Sequence, residues 1–303
     1  MIRNLQDEII RLKQEQHVTI LAHSYQSPEI LEIADHTGDS YKLSVIAKDL
    51  DCQKVILCGV RFMAETVKML SPEKSVILPV PQATCPMAEQ IAPERVAQFK
   101  RENPHVKVVC YVNTTAALKA ECDVCVTSSS ALKIVRAIPE KDILFIPDKN
   151  LGSYVQKMCP EKNIILWDGY CPVHNAITED EILAAKALHP DAKVLLHPEL
   201  PKEVLQHGDA IGSTADIIRF AMESSDPCII GTEKSIADYL KLTKPEGTFY
   251  QLSKRLICPD MRMTSLSDVY DALTGNGGEE MELDAEIARK ARHTIDEMIR
   301  LGN

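Results

Sequence analysis

Short apolar runs and amphipathic stretches alternate along the whole chain. The apolar runs are rich in Val and Ile, and the stretches between them carry apolar residues at the three- and four-residue spacing of a helix. Strands that alternate with helices predict a parallel sheet covered by helices on both faces. Clear predicted helices that precede strands run from Ile2 to Gln14, from Pro93 to Glu102 and from Glu179 to Leu188.

The same order of segments occurs three times. The first strand of each copy is VTILAHSY, VKVVCYVN or AKVLLHPE, beginning at residues 18, 106 and 192. A turn of small residues follows each strand, and it includes Ser40, Ser128 or Thr214. Later in each copy, KVILCGVRFMAETV, DILFIPDKNLGSYV and CIIGTEKSIADYL align as strand, turn and helix. A fixed internal period of this kind indicates one structural unit in three copies.

This repeat predicts an α/β fold of three pseudo-equivalent three-layer α/β/α domains with parallel sheets around a pseudo-threefold axis. The predicted repeats span residues 1–86, 87–172 and 173–259, and a tail follows over residues 260–303. The tail contains a long predicted helix, Leu283 to Leu301, which should pack on the first repeat. Because units of this size bury little core each, they should pack on one another and share a site at their interface.

Cysteines followed by proline mark the repeat a second time. Cys85, Cys171 and Cys258 each precede a proline, and they lie 86 and 87 residues apart. A fourth pair, Cys159-Pro160, falls outside this period. Because proline fixes φ and removes a backbone donor, each pair should hold its cysteine at a rigid loop or helix start. Equivalent placement in three copies predicts three converging thiolates, and Cys159 is predicted not to be a ligand.

Composition and charge exclude several classes of protein. A net charge of −10 offers no basic surface for nucleic acid. The chain has no apolar run long enough to span a bilayer, and its first residues lack the apolar core of a signal peptide. Ten cysteines without an export signal predict a reducing, cytoplasmic location, where thiols bind metals more often than they form disulfides.

Other cysteines are expected to be structural. Those that lie in or beside apolar strands, where cysteine packs as a small apolar residue, are Cys52, Cys58, Cys110 and Cys228. Cys122 and Cys125 form a CxxC pair. A zinc or redox site built on that pair would need a second pair or a thioredoxin-like setting, and the sequence has neither.

Three converging thiolates leave two classes of site open. A closed structural zinc site takes four protein ligands, whereas soft thiolates also hold iron–sulfur clusters. A cubane cluster held by three cysteines leaves one iron open to substrate as a Lewis acid, which suits a dehydration. A zinc-stabilised scaffold without catalysis is the alternative.

Polar side chains two residues apart end the first strand of each copy. These pairs are His23 and Tyr25, Tyr111 and Asn113, and His197 and Glu199. Ligands of parallel α/β folds bind at the carboxyl ends of strands, so the pairs predict a binding site. Ser40, Ser128 and Thr214 stand where a helix should begin, a position that binds anions well. The predicted substrate therefore carries carboxylate or phosphate groups.

Motifs between His23 and Met263 resemble the quinolinate synthase family, the iron–sulfur enzymes of bacterial and archaeal NAD biosynthesis. The segments that match, in order, are AHSYQ, GDS, GVRFMAET, CPMA, YVNTTA, TSSS, PDKNLG, GYCPVH, HPE, GST and CPDM. The resemblance implies three stacked α/β/α domains around one [4Fe-4S] cluster per chain, bound by Cys85, Cys171 and Cys258. It also implies a transferase-type condensation of iminoaspartate with dihydroxyacetone phosphate to quinolinate, with loss of phosphate and two waters.

The resemblance further assigns residues to the substrate. The matching positions are His23, Ser40, Tyr111, Asn113, Ser128, His197, Glu199 and Thr214. We expect Glu199, oriented by His197, to transfer protons, and Tyr25 to assist as a donor in the same pocket. The pathway implies functional coupling to an aspartate-oxidising enzyme, because iminoaspartate hydrolyses readily. Another cluster-dependent hydro-lyase, acting on a small hydroxy acid, is the alternative to the condensation.

The chain departs from the family pattern at a few positions. Arg61 stands where many members have His, and Leu200 stands where many have Cys. Neither position has an assigned role. Some members have a CxxCxxC run around Cys258, but Met261 and Thr264 occupy its later positions here. A local disulfide at that run is therefore not available to this chain.

Overall fold

The structure, a computed structural model, describes residues 2–302 as strands alternating with helices. The first elements are α1 (Ile2–Glu15), β1 (Val18–His23), α2 (Pro28–Ile33), β2 (His36–Gly38), α3 (Ser40–Asp49), β3 (Lys54–Cys58), α4 (Arg61–Leu70) and β4 (Ser75–Leu78). Next come α5 (Pro93–Glu102), β5 (Lys107–Tyr111), α6 (Ala116–Lys119), β6 (Val124–Val126), α7 (Ala131–Ala137), β7 (Asp142–Ile146), α8 (Lys149–Met158) and β8 (Asn163–Leu166).

The remaining elements complete a third set and a tail. The third set comprises α9 (Pro172–Asn175), α10 (Glu179–Leu188), β9 (Lys193–Leu196), α11 (Lys202–Leu205), β10 (Ala210–Ile211), α12 (Thr214–Glu223), β11 (Cys228–Gly231), α13 (Lys234–Thr243) and β12 (Phe249–Gln251). The tail contains a 3-10 helix (Asp260–Arg262), α14 (Leu266–Thr274), β13 (Glu279–Glu280) and α15 (Ala285–Gly302).

Three sheets share one topology. Their strand orders are β4-β3-β1-β2, β8-β7-β5-β6 and β12-β11-β9-β10, and every pairing within these orders is parallel. The tail strand β13 adds to the first sheet by antiparallel pairing with β4. The predicted α/β class with repeated parallel sheets is confirmed, and each copy contributes its strands in the same order.

A repeated hydrogen bond ties the first strand of each copy to the loop before the second. The carboxylates of Asp35, Asp123 and Asp209 each accept from a backbone N–H 15 residues earlier, at 2.7–2.8 Å. A lysine of the preceding helix pairs with the aspartate in two copies, Lys13 at 2.7 Å and Lys100 at 2.8 Å. Equivalent residues therefore make equivalent contacts, which is independent support for the triplication.

The position of the off-period Cys159 also follows from the repeat. The residues that cap the C-terminal ends of α4, α8 and α13 are Ser71, Cys159 and Lys244. They share one backbone conformation, with φ of −132°, −127° and −134° and ψ of 66°, 65° and 73°. A proline follows each of these residues, and proline is common just after a helix ends because it cannot continue one. Cys159 thus takes the helix-ending position that Ser71 takes in the first copy, and its side chain is buried.

The chain divides into two compact units. The first unit comprises Met1–Glu89, Val112–Glu121 and Pro259–Thr294. The second unit comprises Gln90–Tyr111, Cys122–Cys258 and Ile295–Asn303. The first unit holds the first sheet, and the second unit holds the other two. The three-domain boundaries drawn from the sequence stay a prediction.

Alternation of side chains along the strands builds the core of the first unit. Val18, Ile20 and Ala22 of β1 pack in one cluster with residues of α1, α2 and α14. Leu21 and Leu57, which are neighbours in register on β1 and β3, are also fully buried. Successive side chains of a strand point to opposite faces, so this sheet is covered on both sides.

The tail contributes to the first unit as well. Ala291 of α15 is fully buried in a small cluster with Met69 and Ala116. The Arg292 guanidinium donates to the carbonyl of Met69 at 3.4 Å. Within residues 2–302, none of the helices combines the length and apolar character needed to cross a membrane.

Several elements predicted from the sequence have the expected bounds, and one helix start is wrong. Ser40 and Thr214 are the first residues of α3 and α12, as expected. Ser128 lies in a turn before α7, which begins at Ala131. The cause is local, because Thr127 and Ser130 exchange backbone-to-hydroxyl hydrogen bonds at 2.9 and 3.1 Å and form an extra turn.

Candidate active site

The polar pairs lie at the carboxyl ends of the first strands. β1 ends at His23, β5 ends at Tyr111, and β9 ends directly before His197. The first unit contains the candidate residues His23, Tyr25, Ser40, Cys85 and Asn113. The second unit contains the candidate residues Tyr111, Ser128, Cys171, His197, Glu199, Thr214 and Cys258.

The three on-period cysteines differ from all the others in exposure. Cys85, Cys171 and Cys258 are half-buried, whereas the remaining seven of the ten cysteines are buried. Each of the three follows β4, β8 or β12, the strands that take the same place in the repeated strand order. They are therefore the cysteines whose sulfur atoms a bound group can reach. Cys171 and Cys258 belong to one unit and Cys85 to the other, so the convergence of the three thiolates stays a prediction.

Several buried cysteines are unsuited to binding a metal. Burial raises the pKa of Cys58 to about 12 and also raises the pKa of Cys159 and Cys228. These side chains are therefore neutral thiols at neutral pH, and the thiolate is the form that binds metals. That Cys159 is not a ligand stays a prediction.

Cys171 begins a helix and is held through its backbone. It is the N-cap of α9, and Pro172 occupies the first position of that helix. Its backbone N–H donates to Asp148 Oδ2 at 2.9 Å, and the N–H of Leu151 donates to Asp148 Oδ1 at 2.7 Å. Burial, together with the nearby charge of Glu199, raises the pKa of Asp148 to about 7. Asp148 thus fixes the start of the cysteine turn from the adjacent loop.

Glu199 is the centre of a buried polar group in the second unit. Its Oε2 lies 3.0 Å from His174 Nδ1, and its Oε1 lies 4.0 Å from His197 Nδ1. Tyr111 hydrogen-bonds to the same carboxylate. Asn150 Nδ2 donates to the backbone carbonyl of Glu199 at 2.9 Å. Tyr111 and His197 thus meet Glu199 directly, and Cys171 is linked to it through His174.

The charges in this network follow from burial and its neighbours. Burial lowers the pKa of His197 to about 4, which the nearby Glu199 only partly opposes, so the imidazole is neutral at pH 7. Burial raises the pKa of Glu199, but the neighbouring imidazoles of His197 and His174 and the hydrogen bonds from His174 and Tyr111 outweigh that effect and lower it below its ordinary value. Glu199 is therefore an ionised carboxylate at neutral pH.

His174 is a residue that the sequence reasoning missed. Its Nδ1 lies 3.3 Å from Cys171 Sγ and its Nε2 lies 3.2 Å from Thr232 Oγ1. The ring centroids of His174 and His197 are 5.1 Å apart. The available signal was the Cys-x-x-His spacing in GYCPVH, which places both side chains on one helical turn.

The strand end in the first unit forms a second polar group. The backbone N–H of Tyr25 donates to His23 Nδ1 at 3.1 Å, and the two rings meet edge-on at a centroid distance of 4.5 Å. Burial lowers the pKa of His23 to about 4, and Asp39 opposes the shift weakly. His23 is therefore a neutral imidazole at neutral pH, with its ring orientation set by Tyr25.

A fully buried lysine holds the loop that carries Asn113. Lys119 Nζ donates to the carbonyl of Val112 at 2.7 Å and also to the carbonyl of Thr114. These carbonyls flank Asn113 on both sides. The ring of Phe62 lies 5.6 Å from the same ammonium. No sequence pattern predicts this contact, because Lys119 lies on the short helix α6 among apolar residues.

The donor atoms of the site suit a soft metal group. Thiolates at three half-buried cysteines match the ligands that iron–sulfur clusters use. In the second unit, ligand atoms of Cys171, His174 and Glu199 lie within 4.8 Å of one another. The cysteines are thus of the kind that can hold a cluster, and within the second unit Cys171 lies near the imidazole of His174 and the carboxylate of Glu199.

Comparisons with known proteins identify the family to which the chain is similar. A family model described as quinolinate synthetase A protein matches residues 7–300. A protein of Clostridium perfringens strain 13 named quinolinate synthase is 46% identical over 300 residues, covering 99% of each chain. Proteins with the same name are 46% identical in Clostridioides difficile strain 630 and 42% identical in Thermodesulfovibrio yellowstonii, and each alignment covers at least 99% of both chains.

Proposed function

Because the chain belongs to the quinolinate synthetase A family, we propose that it condenses iminoaspartate with dihydroxyacetone phosphate to quinolinate, releasing phosphate and two waters. One observation carries the proposal beyond family membership. The half-buried cysteines are the three that recur with the internal period, and the other seven are buried. Three partly exposed cysteines, one in each copy, would supply the ligands for one shared cluster.

The proposed cofactor is one [4Fe-4S] cluster per chain. Cys85, Cys171 and Cys258 would hold it, which leaves one iron without a protein ligand. When bound, the cluster supplies a Lewis acid for substrate oxygen. Asp148 supports this arrangement because it holds the backbone N–H of Cys171 at 2.9 Å.

Proton transfer is proposed for Glu199. Its carboxylate is ionised at neutral pH and buried, with Tyr111 and His174 as hydrogen-bond partners. A buried carboxylate of this kind can take a proton from a substrate carbon or nitrogen and return it to a departing oxygen. The backbone N–H of Glu199 donates to His197 Nδ1 at 3.4 Å, and we propose that this contact orients Glu199. Tyr25 is proposed to assist as a proton donor.

Substrate anions are proposed to bind at the strand ends and helix starts. The residues assigned to this role are His23, Ser40, Tyr111, Asn113, Ser128, His197, Glu199 and Thr214. Ser40 and Thr214 are the first residues of ten-residue helices, and the start of a helix favours negative charge. Tyr111 and Asn113 are proposed to orient the carboxylates.

The proposed reaction places the chain in NAD biosynthesis in a reducing cytoplasm. Its iminoaspartate must come from an enzyme that oxidises aspartate, because the imine hydrolyses readily in water. The coupling is functional, through a short-lived small molecule.

Anaerobic purification followed by an activity assay tests the proposal. We expect a brown, oxygen-sensitive protein with about four irons and four sulfides per chain that forms quinolinate from iminoaspartate and the triose phosphate. A colourless zinc protein would contradict the cluster. A cluster-containing protein that dehydrates a small hydroxy acid and forms no quinolinate would contradict the condensation and support the hydro-lyase.

A further inference from the structure

Cys171, His174 and Glu199 bring three different ligand atoms to one point. His174 Nδ1 lies 3.3 Å from Cys171 Sγ and 3.0 Å from Glu199 Oε2. All three atoms lie within 4.8 Å of one another. Ligands at ordinary zinc distances of about 2.0–2.3 Å are separated by about 3.3–3.6 Å in a tetrahedral site. The two separations from His174 Nδ1 are close to those values. A movement of the Cys171 and Glu199 side chains that brings both atoms to about that spacing would accommodate a cation.

Each of these three residues is also fixed by a neighbour. Asp148 holds the backbone of Cys171 at 2.9 Å, and Asn150 holds the carbonyl of Glu199 at 2.9 Å. His174 Nε2 lies 3.2 Å from Thr232 Oγ1, within hydrogen-bond distance. A hydrogen bond at the second ring nitrogen is the usual support for a metal-bound histidine, because it leaves the first nitrogen with its lone pair toward the metal.

The donor atoms of the group suit a divalent cation. The sulfur of Cys171 and the carboxylate of Glu199 both face the same nitrogen of His174. His174 and Glu199 are buried, so a cation held there is largely shielded from water. Zinc takes sulfur, nitrogen and oxygen ligands of this kind.

We propose that Cys171, His174 and Glu199 form a mononuclear site for a divalent cation of the zinc type in the cluster-free chain. The site lies within the second unit and needs neither Cys85 nor Cys258. It goes beyond the proposed reaction and does not depend on it. Since Cys171 is also a proposed cluster ligand, the cation and the cluster compete for this sulfur, and cation binding delays cluster loading.

Cobalt titration of the cluster-free full-length chain tests the site. Under anaerobic conditions Co²⁺ should give a thiolate-to-cobalt absorption band at one equivalent, and Zn²⁺ should displace it. Cys171→Ser should abolish the band, while His174→Gln and Glu199→Gln should weaken binding by more than about 100-fold. Thr232→Val, a milder change, should weaken it by about 10-fold.

Matched cysteine variants separate this site from the cluster site. Cys85→Ser and Cys258→Ser should bind cobalt like the unaltered chain and fail to hold iron and sulfide. Equal loss of cobalt binding in Cys85→Ser or Cys258→Ser would overturn the proposal, because the cation would then be bound by the cysteines together. Unchanged affinity in both Thr232→Val and His174→Gln, with native circular dichroism, would overturn it as well. Failure to form quinolinate would count against the proposed reaction alone.

Discussion

At the scale of single residues, Glu199 shows how burial and hydrogen bonding decide chemistry. The side chain is 4% exposed, yet its partners keep it ionised by lowering its pKa. Removing that charge from a buried network should leave fold and iron content intact while it removes the proton acceptor. The carboxylate, and not the bulk of the side chain, is therefore the property to test.

Glu199→Gln is expected to keep the iron content of the unaltered chain and to lower kcat by at least about 100-fold, the lower end of what a general acid–base group contributes. Iron analysis and steady-state quinolinate formation measure both quantities. Glu203→Gln, at an exposed position four residues away, is the control and should be neutral. Turnover near normal in Glu199→Gln would remove this residue from proton transfer.

The buried neutral His23 should make stability depend on pH. Its pKa is lowered from 6.5 to about 4 by burial, so the unfolded chain binds a proton there that the folded chain does not. Stability from this group is complete above pH 6.5 and falls as the pH is lowered towards 4. Between pH 7 and pH 4.5, the unfolding free energy of His23→Gln should therefore fall by about 2 kcal/mol less than that of the unaltered chain. Urea unfolding measures this, and the exposed His105→Gln should follow the unaltered chain.

Lys119 is expected to position Asn113. Lys119→Met removes the ammonium from the carbonyls of Val112 and Thr114, while the Val112 carbonyl still accepts from the N–H of Thr114 at 2.9 Å, so we expect a loss of about 1–3 kcal/mol in total. The loop around Asn113 should loosen, so we expect KM to rise several-fold while kcat changes little. A lower melting temperature with unchanged KM would show a purely structural lysine. Lys48→Met, at an exposed position on α3, is the matched control.

At the scale of elements, the aspartate that ties each first strand to the next loop is the contact that repeats most faithfully. Asp123→Ala removes the acceptor for the Val108 N–H and the partner of Lys100. We expect a loss of about 1–3 kcal/mol in unfolding free energy, because a strand N–H is left unpaired. Asp168→Ala breaks a surface ion pair with Lys149 and should cost less than about 1 kcal/mol. Equal losses in the two variants would contradict a structural role for the repeated aspartate.

The sequence predicted elements well where periodicity is strong. Helices α5 and α10 have the predicted bounds, and α1 ends one residue later than predicted. The prediction failed where short polar contacts decide the backbone conformation, as at Ser128, whose turn depends on hydrogen bonds between Thr127 and Ser130. Hydrogen bonds between neighbouring polar residues leave no hydrophobic pattern in the sequence from which such a turn could be predicted.

The candidate site was predictable at its cysteines and strand ends, and less so elsewhere. His174 lies on the four-residue helix α9, too short to show a period. Asp148 and Asn150 act through a backbone N–H and a backbone carbonyl from other parts of the chain, at 2.9 Å each. Contacts of that kind depend on how sheets pack within the second unit, which one sequence does not contain.

At the scale of the whole molecule, the chain is one strand order used three times with different side chains at the strand ends. The sheets repeat, the aspartate contacts repeat, and the Cys-Pro pairs repeat. The polar pairs do not repeat, since they are His/Tyr, Tyr/Asn and His/Glu. We infer that equivalent positions serve one shared cofactor, while the differing positions serve an asymmetric substrate.

The central claim is that three on-period cysteines, and no others, hold one cluster. The most direct measurement is the iron and sulfide content of anaerobically purified Cys85→Ser, Cys171→Ser, Cys258→Ser and Cys159→Ser. The last is a matched control, because it places serine where the first copy has Ser71. We predict about four irons in the unaltered chain and in Cys159→Ser, and loss of the intact cluster in each of the other three. A full cluster in any of those three, or its loss in a folded Cys159→Ser, would contradict the claim.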